Sequence, residues 1–282
     1  MAIADINGIH LQYEIHGAQG PWVAIMPGGR RALSEVRTLA QRIAEAGYRV
    51  VIHDRRNCGA SDVCIGSSGA EHEMWSDDLH ALLTSLDAVP AYIGGCSSGC
   101  RMSIDFALRY PQAVRGLLLW RATGGRFAVQ RLTEKYYGEY LRAVADGGMA
   151  AVCETEHFSE LIAARPANRE ALMSMKPAQF TAAMSEWDRL FRAGADQPVV
   201  GASEAQLKWI AVPACVVPGN DRTHPRAVAE TLARLLPNAE LHQLMGDDVD
   251  IDVVPAEEWD AKETVLAEIL VGSLNRMSAG SA

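Results

Sequence analysis

Two periodicities alternate along this chain. Trp22-Val23-Ala24-Ile25-Met26, Arg49-Val50-Val51-Ile52-His53, Val114–Trp120 and Val212–Val217 are compact apolar runs, the pattern of strands covered on both faces. Between them, Leu33 to Ala46 followed by Gly47, and Asp78 to Leu86 with apolar residues at 79, 82, 83 and 86, have the spacing of helices that bury one face. Tyr92 to Cys96 predicts another strand. A largely apolar helix follows through Met102, Ile104, Phe106, Ala107 and Leu108, closed by Tyr110-Pro111. At the start, Asn7-Gly8 separates the alternating segments Ala2–Ile6 and Ile9–Ile15, which predicts a hairpin at a sheet edge. Near the end, Leu232–Leu236 belongs to a helix and Ala239–Leu244 to a last strand. A closing helix is expected over Ala261–Leu274, with Met277–Ala282 frayed. Strands and helices in this alternation predict an α/β architecture with a mostly parallel sheet.

The pattern changes after Trp120. Residues 122–209 are helix-forming, rich in Met, Tyr, Phe and Trp, and contain no strand-like run. The expected organisation is therefore a core of residues 1–121 and 210–282 interrupted by a helical insertion, 122–209. Aromatic and methionine side chains at helical spacing there serve chiefly as the insertion's own core.

Composition narrows the function classes without selecting one. The chain has 282 residues, 49% hydrophobic and 22% charged, with a net charge of −9, as ordinary globular proteins do. With no basic run, a nucleic-acid partner is not expected. No apolar stretch approaches the roughly 20 residues of a membrane span, and Met1-Ala2-Ile3-Ala4-Asp5 lacks the charged start and apolar stretch of a signal peptide. The six cysteines, 58, 64, 96, 100, 153 and 215, lack paired CxxC spacing and read as reduced thiols in a cytoplasmic protein. No cofactor or metal is expected. Asp248, Asp250 and Asp252 alternate like the opening of a calcium loop, but the glycine and distal glutamate of an EF-hand are missing.

Chemistry is concentrated at Gly95-x-Ser97-x-Gly99, between a predicted strand and a predicted helix. A sharp turn of this kind holds one serine in a strained, exposed position, and glycines on both sides let the neighbouring backbones approach. Ser97 is the candidate nucleophile. Pro27-Gly28-Gly29-Arg30-Arg31 follows a buried strand, and the glycine pair leaves backbone N–H groups open to a ligand. The N–H groups of Gly29 and Ser98 are the candidate oxyanion hole.

The order of these signals resembles the α/β-hydrolase fold superfamily. Carrying the resemblance are Pro27-Gly28-Gly29, the turn Asp54-Arg55-Arg56-Asn57-Cys58-Gly59-Ala60-Ser61-Asp62, the elbow at Ser97, the strand Val114–Trp120, and Val212 through Pro218-Gly219-Asn220-Asp221. It covers nearly the whole chain. It implies a mostly parallel central sheet flanked by helices, and makes 122–209 a cap over the nucleophile. The implied chain order is serine, acid, histidine, which gives the acid role to Asp221. The loop where the family carries its histidine, Met245 to Pro255, has none. His224, three residues beyond Asp221, His242 in the last predicted strand and His157 in the insertion are the substitutes, and the absence of any histidine base stays open. Asp248 is a further candidate, as a weak base. His10, His16, His53, His72 and His80 have no special claim.

The resemblance implies an enzyme acting on a small, partly apolar molecule: an ester, lactone, thioester or vinylogous diketone cleaved at a C–C bond. Arg30, Arg31 and Arg121 near the strand ends would suit a carboxylate-bearing substrate. Two other readings stand beside hydrolysis. One is a cofactor-free lyase, cyclase or isomerase; the other is a ligand-binding protein that has lost its base. A homodimer is compatible with all three.

Overall fold

The computed structural model describes residues 1–66 and 69–279. Eight strands, β1 (Ala2–Ile6), β2 (Ile9–His16), β3 (Trp22–Met26), β4 (Arg49–His53), β5 (Ala91–Cys96), β6 (Val114–Trp120), β7 (Ala214–Val217) and β8 (Ala239–Leu241), form one sheet. Their order is β1-β2-β4-β3-β5-β6-β7-β8. Only β1 with β2 and β2 with β4 pair antiparallel; the remaining neighbours are parallel.

Strand side chains alternate between two cores, as a period of two requires. Ala24, Met26, Val51, Leu117, Leu119 and Val216 face one side, packed with α2 (Glu71–Ser85), α3 (Ser98–Arg109) and α10 (Arg226–Leu235). Val23, Ile25, Val50, Leu118, Trp120 and Val217 face the other, against α1 (Arg37–Glu45), α11 (Ala256–Asp260) and α12 (Glu263–Ala279). Burial on both faces explains the continuous apolar runs in the sequence.

The 122–209 segment is helical: α4 (Arg126–Thr133), a π-helical turn over Glu134–Gly138, α5 (Glu139–Cys153), α6 (Glu156–Ala164), α7 (Ala167–Ser174), α8 (Pro177–Arg192) and α9 (Glu204–Trp209). It has its own apolar cluster, in which Tyr137, Val152, Phe158, Leu172, Phe180 and Trp187 are each no more than 2% exposed. That cluster lies apart from both sheet cores, whereas Val199, Ala202 and Leu207 at the end of the segment pack into the sheet core.

Several element boundaries differ from expectation. The helix before the serine begins at Glu71 rather than near Asp78, because Glu73 Oε2 accepts the Ala70 N–H and Trp75 is buried, its indole donating to the Arg56 carbonyl. The helix expected from Leu33 opens with a 3-10 turn, Leu33–Val36. β7 begins at Ala214 rather than Val212, and β8 stops at Leu241, half-exposed on the sheet edge, so His242 lies beyond it. The closing helix is the single helix α12, preceded by the short helix α11, and Met277 to Ala279 continue it instead of fraying; residues 280–282 of that expectation lie outside the described ones. All six cysteines are free thiols. Among the described residues, no helix is long and apolar enough to cross a membrane.

Candidate active site

The carboxyl ends of β3, β5, β6 and β7 converge on one edge of the sheet, the edge where open α/β sheets bind ligands. Ser97 sits between β5 and α3 at φ 52° and ψ −107°, a conformation that side-chain-bearing residues rarely adopt. The flanking glycines are needed sterically. A Cβ on Gly95 would lie 2.5 Å from the Gly99 backbone, and one on Gly99 would lie 2.6 Å from the Met26 carbonyl.

Asp221 and His224 reach this serine from the loop after β7. His224 Nε2 is 2.9 Å from Ser97 Oγ, and His224 Nδ1 is 2.9 Å from Asp221 Oδ1. Asp221 is held from several directions. Its Oδ1 also accepts the N–H groups of Thr223 (3.0 Å) and His224 (2.8 Å), and its Oδ2 accepts the Val254 N–H (2.9 Å) and an Arg121 N–H (3.3 Å). Burial alone would raise this carboxyl; the bond and charge of His224 and the backbone donors outweigh it and hold Asp221 well below the usual carboxylate range. Burial lowers the His224 imidazole from its ordinary value, with Arg121 adding to the effect and Asp221 opposing it. The imidazole is therefore neutral near pH 7. Facing a carboxylate, it carries its proton on Nδ1 and leaves Nε2 free to accept from Ser97.

The other candidate bases are elsewhere. His242 bonds Glu240 and Arg276 on the sheet edge. His157 lines the same cavity as Ser97, but burial pushes its imidazole down to about 3. Asp248 is exposed and accepts the Arg226 N–H at the start of α10. The histidine that reaches Ser97 thus comes from the loop after β7, one strand earlier than expected, and the loop after β8 gives Asp221 the Val254 N–H.

The Gly28-Gly29 turn is clamped from behind. Arg55 donates to the carbonyls of Gly28 (3.3 Å) and Gly29 (2.6 Å), and the Ser98 hydroxyl donates to the Gly29 carbonyl (2.6 Å) while accepting from Arg55 (2.9 Å). Across a trans peptide the Gly29 N–H points opposite to the Gly28 carbonyl. The Ser98 N–H, in the first turn of α3, has no partner within its helix. Ser98 itself does not line the cavity, whereas Gly28, Gly29 and Arg30 do.

That cavity has a volume of about 1010 Å³ and is roofed by Tyr136, Tyr140 and His157 of the helical segment. Arg30 is not the solvated cation that its type suggests. It is buried, paired with Glu71 at 2.9 Å, and surrounded by the rings of Tyr136, Tyr137 and Tyr140 at 5.3–5.5 Å. Glu71 neutralises it, so Arg30 presents N–H groups rather than net charge. Arg31 is exposed and pairs with Glu35, and Arg121 lies against Asp221 and the Trp259 ring. Beside the serine, burial raises the Cys96 thiol to about 12, which leaves it unreactive.

Sequence reasoning missed two residues here. Thr123, three residues past β6, places Oγ1 3.2 Å from Ser97 Oγ. Glu71 is the other; a carboxylate opening a helix looks like an end cap until the fold brings Arg30 to it.

A family model described as "alpha/beta hydrolase fold" matches residues 21–153. Over those residues the chain matches this family, and its sheet and helices have the α/β-hydrolase fold. Among curated relatives, an uncharacterized hydrolase of Bacillus subtilis (strain 168) is 31% identical over 114 residues, 40% of this chain and 41% of that protein. The matches to the first such relatives span between 20% and 41% of their lengths. Among solved structures, the enol-lactonase of Burkholderia xenovorans LB400 superposes with a TM-score of 0.62 at 19% identity, covering 95% of this chain and 99% of its own. A thermophilic esterase of Thermogutta terrifontis gives 0.64 at 20% identity, covering 96% and 98%.

Proposed function

We propose that this α/β-hydrolase is a serine hydrolase cleaving a small carboxylic ester or lactone, with Ser97 as nucleophile, His224 as base and Asp221 as the group that orients and balances the histidine. The observation that carries the reading is the continuous hydrogen-bonded chain Ser97 Oγ to His224 Nε2 and His224 Nδ1 to Asp221 Oδ1, 2.9 Å at each step. A serine hydroxyl attacks a carbonyl at neutral pH only if a neighbour removes its proton, and a neutral imidazole backed by a carboxylate is suited to that.

In this scheme Ser97 Oγ bonds to the substrate carbonyl carbon as its proton passes to His224 Nε2. The carbonyl oxygen becomes an oxyanion, held by the N–H groups of Gly29 and Ser98. Collapse expels the alcohol oxygen, which takes the proton from Nε2 and leaves an acyl-Ser97 ester. Water then attacks that ester, giving its proton to Nε2, and the second collapse returns the proton to Ser97 Oγ and releases the acid. Arg30 and the Tyr136 and Tyr140 rings form the wall against which the acyl or alcohol part rests. With Glu71 beside Arg30, that wall suits a neutral polar group better than a carboxylate.

The case for a binding protein began with the lack of a base, and His224 supplies one. Reaction with a fluorophosphonate probe is the direct test: labelling that disappears in Ser97→Ala and falls sharply in His224→Ala supports the scheme. An unlabelled parent protein that also fails to turn over panels of aryl esters and lactones would sink it. Diketone substrates in the same panel separate ester from C–C cleavage.

A further inference from the structure

We infer that Thr123 is a positioning residue for the nucleophile, donating a hydrogen bond to Ser97 Oγ. The inference rests on the serine-hydrolase reading and deepens it.

Counting protons leads to this direction. The Asp221 carboxylate only accepts, so the neutral His224 carries its proton on Nδ1 and its Nε2 must accept. The single proton of Ser97 therefore goes to Nε2, 2.9 Å away. Thr123 Oγ1, 3.2 Å from the same oxygen, can complete a hydrogen bond only by donating its own proton. Thr123 is 5% exposed. Its carbonyl accepts the N–H of Val200, which ties the residue's backbone to the segment after α8. The hydroxyl thus approaches Ser97 from a fixed frame and does not line the substrate cavity.

Two effects follow for the reaction. Held by both bonds, Ser97 Oγ is confined to the rotamer that aims at Nε2. When the acyl-enzyme is cleaved, Oγ is the leaving group, and a donor aimed at it stabilises the charge that develops as the C–O bond breaks and before Nε2 returns the proton. Both act on the chemical steps and neither on substrate binding.

Thr123→Val removes the hydroxyl at similar volume, and Thr123→Ser keeps the donor while losing a methyl group. The fluorophosphonate labelling rate, and kcat on a small aryl ester, should fall about ten- to a hundredfold in Thr123→Val. KM and the thermal midpoint should stay near those of the parent, and Thr123→Ser should recover most of the rate. Labelling of Thr123→Val at the parent's rate overturns the inference. So does a loss that Thr123→Ser does not rescue, which would make the role one of packing, or a loss that appears in KM. A parent protein that is never labelled points instead to failure of the underlying serine-hydrolase reading.

Discussion

Asp221→Asn tests both the chemistry and the stability of the site. The carboxylate accepts at Oδ1 from Thr223 N, His224 N and His224 Nδ1, and at Oδ2 from Val254 N and Arg121. An amide has one acceptor oxygen and one NH₂. With the oxygen toward His224, the NH₂ opposes the Val254 N–H and the Arg121 guanidinium. Each buried donor left without a partner costs about 1–3 kcal/mol, so the fold should lose roughly 2–6 kcal/mol. The imidazolium formed in the reaction would also lose its counter-charge. An ion pair at about 4 Å in an effective dielectric of about 20 is worth roughly 4 kcal/mol, which is about a thousandfold in rate. With the amide turned over, its NH₂ faces Nδ1, the imidazole takes the other tautomer, and Nε2 carries a proton it cannot accept again. Either orientation lowers the rate. Urea denaturation gives the first quantity and fluorophosphonate labelling of the folded variant the second. A variant labelled at the parent's rate while showing the expected destabilisation would refute the role given to Asp221 and leave it as a structural acceptor alone.

Further expectations follow from the same geometry. Because the His224 imidazole lies below its ordinary value of 6.5, activity should be flat through neutral pH and fall only on the acid side of 6.5. The fold shares that sign: a depressed histidine contributes stability that is complete above 6.5 and lost as pH falls through its folded value, so urea midpoints should drop over the same acid range. His242→Ala should leave the labelling rate unchanged, since its partners are Glu240 and Arg276 at the sheet edge; a large loss would mean that the wrong base has been chosen. Arg30→Met strands Glu71 in the interior and should cost about 3–5 kcal/mol by urea denaturation. Arg30→Met with Glu71→Gln should recover part of that, and an additive double variant would show the pair to be uncoupled.

The turn at Ser97, the glycine pair at 28–29 and the placement of Asp221 on the loop after β7 were legible in the sequence because each depends on a few adjacent residues. The sheet was legible for the same reason: burial on both faces writes itself as an unbroken apolar run. The proposed base was harder. His224 could be named but not chosen over His242 or His157, since nothing in its neighbourhood says that the Gly219–Pro225 turn folds its imidazole back over the acid. Arg30 was legible as a residue of the site and illegible as a buried ion pair, because its partner Glu71 lies 41 positions away in sequence. Thr123 gave no signal at all, as a hydroxyl just past a strand end looks like any loop residue.

One short turn, Gly219 to Pro225, carries both His224 and Asp221, and the loop after β8 braces it with the Val254 amide and the carbonyls of Ile251 and Asp252. Proton acceptor and carboxylate thus share a single mounting. A shift of that turn would carry the pair along together and separate it from the hydroxyl in one movement, and the bonds from Ile251, Asp252 and Val254 are what oppose such a shift.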